Sequence, residues 1–154
     1  MTKALWGLEK LDIFKDLNPL ELQEVTKIIN KVCFHKGDLI TDQDNKSRDV
    51  FVLIEGNVDI VSLKGIPLYR VAQGEAFGEL AMIGTIKRTA VAVAREESWV
   101  IVINMNHLEL LGQDQPDIYN KINKNLVQSL GIKLARANKL IELLKAELTK
   151  ALKK

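Results

Sequence analysis

The stretch Gly74-Glu75-Ala76-Phe77-Gly78-Glu79-Leu80-Ala81-Met82-Ile83-Gly84-Thr85-Ile86-Lys87-Arg88-Thr89-Ala90 combines the parts needed to hold a sugar phosphate. Gly74 and Gly78 let the backbone approach a ligand closely. A helix-forming stretch begins near Glu79, so successive N–H groups and a positive helix end can face an anion. Arg88 supplies a permanently charged, fork-shaped donor able to grip two phosphate oxygens at once. Glu79 does the opposite job: an ionised carboxylate is acceptor-only, repelled by phosphate but able to accept from sugar hydroxyls. The pair therefore fits a ligand with hydroxyl donors at one edge and an anion at the other, and Thr89 can add a hydroxyl to phosphate or base. The competing reading, in which Glu79 and Arg88 simply pair with each other, leaves the flanking glycines without an obvious purpose.

The cassette resembles the phosphate-binding cassette of cyclic nucleotide-binding domains, found in protein kinase regulatory subunits, gated channels and the bacterial catabolite activator. The likeness extends upstream to His35-Lys36-Gly37-Asp38 and Phe51-Val52-Leu53-Ile54-Glu55-Gly56-Asn57-Val58, and spans roughly Leu8 to Leu144. The resemblance implies that Glu79 takes the ribose 2'-hydroxyl and Arg88 the exocyclic phosphate. Backbone amides near Gly78, Leu80 and Ala81 would complete the cradle, with Thr89 and Ala90 against the ligand. Three positions depart from the family pattern. Lys87 stands where many members have proline, Val91 replaces a common Thr or Ser, and Asp44 occupies a turn position usually held by glycine. Asp tolerates a positive φ better than most residues, so that turn is expected to survive.

Outward from the cassette, residues 31 to 104 read as short β-branched and aromatic runs between turn residues. Val50 to Ile54 and Val58 to Val61 flank Glu55-Gly56-Asn57, a compact hairpin signature, and Thr89 to Ala94 and Trp99 to Ile103 flank Arg95-Glu96-Glu97. Regular spacing without long helices predicts an antiparallel sandwich or barrel, which the resemblance narrows to a jelly-roll-like barrel with the cassette (74–91) as its one helical interruption. The fold class expected is mainly β with flanking helices.

Residues 1–30 form a helical lead-in, expected to continue to about Asn30. Asn18-Pro19-Leu20-Glu21 is a capping box with proline in the first helical position, and Leu17 and Leu22 fit a hydrophobic staple. Residues 105–154 return to helix, with Pro116 suited to a first turn and Gly131 as the weak point. Val127, Leu130, Leu134, Ala137, Ile141, Leu144, Leu148 and Ala151 alternate in steps of three and four, a heptad stripe with apolar a and d positions. Either this stripe packs on the chain's own barrel or it joins two copies in a parallel coiled coil. A homodimer through this C-terminal helix is the expectation. Lys133 and Leu134 are the candidates for covering the base.

The 154 residues fit one domain with an extended element, and the balance of 47% hydrophobic and 27% charged residues is that of an ordinary globular chain. The net charge of +2 does not argue for nucleic acid. From Lys133 onward seven Lys or Arg face Glu142 and Glu147, a net of about +5 that leaves the rest near −3. No aromatics interleave with this basic tail and no recognition module follows it, so it reads as a solvated helix face without direct DNA binding. No stretch approaches a membrane span or a signal peptide, and a cytoplasmic protein is expected. Met1 and the lysine-rich end read as natural termini rather than the cut ends of a channel or kinase fragment. Cys33, between Val32 and Phe34, reads as a small buried core residue. His35 and His107 stand apart from any cluster that could bind a metal, and His107 reads as an ordinary residue of a short helix. No nucleophile-and-base arrangement is visible.

These features point to a stand-alone sensor of cyclic AMP or cyclic GMP, needing no cofactor and not an enzyme, that passes binding to its C-terminal helices and an unidentified downstream protein. Cyclic AMP is favoured as the commoner bacterial signal. The alternative is a coiled-coil dimeric assembly module with a vestigial pocket.

Overall fold

The computed structural model describes residues 7–41, 48–83 and 87–153. Two antiparallel four-stranded sheets face each other. One has the order β1-β8-β3-β6, from Ile29–Phe34, Ser98–Asn104, Asp49–Glu55 and Ala76–Phe77. The other has the order β2-β7-β4-β5, from Leu39–Thr41, Ala90–Ala94, Val58–Ser62 and Pro67–Arg70. A short helix, α1 (Pro19–Thr26), precedes the sheets; α2 (Met105–Asp114) and the long α3 (Pro116–Leu152) follow them. The expected class, an antiparallel barrel-like sandwich with flanking helices, is the one observed.

Strand alternation explains why the central strands are buried on both faces. Along β3, Phe51 and Leu53 point into the space between the sheets with Val58, Ile60, Phe77, Ala92 and Val100. Val50 and Val52 point the other way, into a second core closed by Phe14, Leu22, Leu108, Ile118, Ile122 and Leu126. The helices therefore cover the outer face of the first sheet, and α3 leaves that core alongside the cassette.

α1 starts where the capping box requires. The Asn18 side chain accepts from the Glu21 N–H at 2.9 Å, and the Asn18 N–H donates to Glu21 Oε1 at 3.0 Å. Leu22 is buried, and Leu17 packs against the same core. The helix does not reach Asn30. It ends at Thr26, and Ile29 already opposes Ile103 as the first pair of β1 and β8. The β-branched pair Ile28-Ile29 gains more from a strand environment than from another helical turn.

The expected hairpin around Glu55-Gly56-Asn57 is a crossing instead: β3 lies in one sheet and β4 in the other. Arg95-Glu96-Glu97 likewise carries the chain from β7 across to β8. The two crossings brace each other, since the Arg95 N–H donates to the Asn57 carbonyl at 2.8 Å and the Asn57 N–H donates to Ser98 Oγ at 3.1 Å. A within-sheet hairpin does form between β4 and β5, pairing Ile60 with Tyr69. Its second strand is an exposed edge opening with Pro67, a placement in which proline costs no ladder bond.

Cys33 is half-buried rather than a core residue, with Sγ 3.8 Å from Glu97 Oε1. Burial pushes its thiol pKa up and the neighbouring Glu97 carboxylate adds to this, the opposite of what a reactive thiolate needs. His107 is an exposed residue in the first turn of α2, where Asn104 caps the N–H groups of Asn106 and His107. The turn around Asp44 lies outside the described residues, as do Gly84, Thr85 and Ile86 of the cassette.

Candidate functional site

The cassette leaves the first sheet through β6, where Phe77 stacks on Phe51 with ring centroids 5.3 Å apart. Gly78 follows at φ 76°, in the left-handed region that favours glycine, and starts a single 3-10 turn, Glu79–Met82. The expected helix is thus only one turn long. Its N-terminal residue Glu79 is 4% exposed and Ala81 is also buried, while Leu80 is half-buried.

Arg88 returns to this turn from the far end of the cassette and is 8% exposed. Its guanidinium donates to the Asp49 carbonyl at 3.0 Å and lies 6.0 Å from the Phe51 ring centroid. A weaker bond at 3.4 Å reaches the Gly78 carbonyl. A Cβ on residue 78 would stand 2.8 Å from Arg88 Nη1, so the glycine makes the space in which the guanidinium is held. Thr89 is exposed, and Ala90, half-buried, opens β7.

Glu79 is satisfied from α3 rather than from within the cassette. Ser129 Oγ donates to its Oε2 at 2.7 Å, and Lys133 Nζ donates to its Oε1 at 2.8 Å. Lys133 also donates to the Ala76 carbonyl and stands 5.9 Å from the Tyr69 ring centroid. Glu75, the other carboxylate here, lies 3.6 Å from Arg136 and 3.8 Å from Lys133. Burial pushes the Tyr69 phenol up to about 12, and the Glu79 and Glu75 carboxylates add to the shift. Tyr69 is therefore a neutral donor at any ordinary pH.

Of the two residues read as base cover, the fold brings Lys133 onto the cassette. Leu134, the next residue on the helix, is 63% exposed. Behind the contact between α3 and the cassette lies a cavity of about 400 Å³, lined by Asp12, Gly74, Asn125, Ser129 and Lys133 among others.

The sequence reading missed Ser129, Glu75, Arg136, Tyr69 and Arg48. Ser129, Lys133 and Arg136 did carry a signal, polar residues at steps of four and three on a helix otherwise read for its apolar stripe. Arg48 carried none. Its guanidinium donates to the carbonyls of Ala81 at 3.1 Å and Met82 at 3.0 Å, closing the C-terminal end of the 3-10 turn. It also pairs with Glu109 on α2 at 2.8 Å and bonds Asn106 at 2.8 Å.

The family model described as the cyclic nucleotide-binding domain matches residues 31–115. A Burkholderia cepacia protein named Pycsar effector protein BcPycTIR is 32% identical over 111 residues, which make up 71% of this chain and 35% of that protein. A cAMP-dependent protein kinase regulatory subunit of Candida albicans is 22% identical over 104 residues, 68% of this chain and 23% of that protein. The chain thus spans about a third or less of the curated relatives it matches. Among solved structures, a cyclic nucleotide-binding domain from Methylobacillus flagellatus superposes with a TM-score of 0.78 at 20% identity, covering 91% of this chain and 81% of that one. Among the described residues no helix is long and apolar enough to cross a membrane.

Proposed function

The chain belongs to the cyclic nucleotide-binding domain family, and we propose that it is a sensor that binds a cyclic nucleoside monophosphate in the cassette without a catalytic step or a cofactor. Glu79 accepts from the ribose 2'-hydroxyl and Arg88 grips the exocyclic phosphate. Amides at Gly78, Leu80 and Ala81 complete the cradle, and Thr89 and Ala90 line it. The observation that carries this reading is that both oxygens of the buried Glu79 are engaged by α3, Ser129 on one and Lys133 on the other. The cassette is therefore not a simple Glu79 to Arg88 ion pair, and its carboxylate is in direct contact with the long C-terminal helix. Binding acts by differential affinity for two arrangements of that helix. Cyclic AMP is the proposed ligand over cyclic GMP.

The test is calorimetric titration of both nucleotides into the wild type and Arg88→Ala. Loss of the charged phosphate grip is expected to cost at least about 1.5–3 kcal/mol of binding free energy. Unchanged affinity in the variant would remove Arg88 from the site. Competition between the two nucleotides at equal concentration measures base preference.

The second reading, an assembly module with a vestigial pocket, is favoured by the far half of α3. There Leu134, Ile141, Leu144 and Leu148 are each at least 50% exposed along the heptad stripe. Homodimerisation through this stripe is compatible with either reading. A vestigial module would dimerise identically with and without nucleotide and show no thermal shift, whereas a binder gains stability by mass action.

A further inference from the structure

Ser129, Lys133 and Arg136 stand at i, i+4 and i+7 on α3, in line on one helix face, and all three meet the first residues of the cassette. The centre of this contact is enclosed: the Glu79 side chain is 4% exposed and that of Lys133 17%. An ionised carboxylate has about four acceptor positions, but burial closes the approach to those that Ser129 and Lys133 do not fill. A hydroxyl on one oxygen and an ammonium on the other give Glu79 the kind of donors that a sugar edge would bring.

We propose that Ser129 and Lys133 form a latch that competes with the ribose for Glu79, so that a cyclic nucleotide binds only as α3 lets go of the cassette. The proposal rests on the reading that Glu79 is the ribose acceptor, and it names what regulates that acceptor. Lys133 has a second resting place beside it, with Glu75 at 3.8 Å and the Tyr69 ring at 5.9 Å, so release from Glu79 does not strand its charge. Two consequences follow from competition. Apparent affinity is lowered by the fraction of molecules with the latch closed. The coupling is also reciprocal, so nucleotide loosens the hold of α3 by the same factor that the latch weakens nucleotide.

The experiment titrates 3',5'-cyclic AMP and 3',5'-cyclic GMP into the full chain as wild type, Lys133→Met, Ser129→Ala and the double variant Lys133→Met/Glu79→Gln, and follows hydrogen exchange across residues 127–136. Lys133→Met is expected to bind about tenfold tighter or better, with faster exchange in α3. Ser129→Ala, which leaves the ion pair in place and so protects the fold, is expected to move both readings the same way by less. A wild type that binds while both α3 variants bind equally or more weakly overturns the latch. Equal binding by Lys133→Met and by Lys133→Met/Glu79→Gln, compared with the ion pair already gone from both, overturns the ribose assignment beneath it. Binding by neither the wild type nor Lys133→Met removes the functional reading and the latch together.

Discussion

Gly56 and Ser98 occupy one small space where the two sheet crossings meet: a Cβ on Gly56 would stand 2.3 Å from Ser98 Oγ and 2.6 Å from Ser98 Cα. Gly56 also sits at φ 113°, a conformation that residues with a side chain rarely adopt. Gly56→Ala therefore combines backbone strain with overpacking and is expected to destabilise the protein by at least about 2 kcal/mol. Thermal denaturation checks this, with a drop in Tm of several degrees.

Arg48 is expected to be the main brace of the cassette's exit. Replacing it by methionine removes the pair with Glu109 and leaves the Ala81 and Met82 carbonyls without their cation. A loss of about 1–3 kcal/mol is expected. Hydrogen exchange should rise at residues 79–83 before it rises in the sheets.

Arg88→Lys tests geometry rather than charge. An ammonium on a flexible stem cannot reproduce a two-pronged grip on phosphate, nor span from the Asp49 carbonyl toward Gly78. Cyclic nucleotide affinity is expected to fall about tenfold, a smaller loss than for Arg88→Ala, in calorimetric titration.

The acid limb of stability should contain a contribution from Asp59. The Arg70 hydrogen bond, supported by Arg95, holds its carboxyl below the ordinary value of 3.8. A depressed carboxylate pKa means stability that is present above the unfolded value, near 4, and is lost as pH falls through the folded one. Both arginines are largely exposed, so the contribution is expected to stay under about 1 kcal/mol and to shrink in high salt. Asp59→Asn should flatten the pH dependence of Tm below pH 4, while the wild type keeps it.

A chain ending at Asn138 should keep the Tm of the full protein to within about 2 °C, because residues 139–153 are exposed throughout. If the heptad stripe joins two copies, the same truncation should abolish self-association in analytical ultracentrifugation.

What the sequence made legible was whatever local chemistry decides by itself. Asn18 and Glu21 cap each other within four residues, so the start of α1 could be read directly. Glu79 and Arg88 were recognisable because the cassette keeps glycine, acid and base at fixed spacing. The failures share a cause in partners that lie far along the chain. Nothing near Glu55-Gly56-Asn57 tells whether β4 returns to its own sheet or crosses to the other, since that choice is made by which faces Phe51 and Val58 bury. Ile29 leaves the helix for a partner 74 residues away, at Ile103. Cys33 looked like core from its apolar neighbours, but those neighbours do not reveal that β1 is an edge strand.

α3 is one unbroken helix of 37 residues, about 55 Å long at 1.5 Å per residue. Ser129 lies about a third of the way along it, and Leu152 about 35 Å farther on. Under the proposed latch, this rod is a lever whose fulcrum is the cassette. A tilt of about 10° at Ser129 would sweep the far tip sideways through roughly 6 Å by the geometry of the rod. A sideways displacement of that size exceeds the width of a methyl group, so under the proposed latch the loss of two hydrogen bonds at Glu79 would reach the far part of α3 as a shift large enough to part packed side chains.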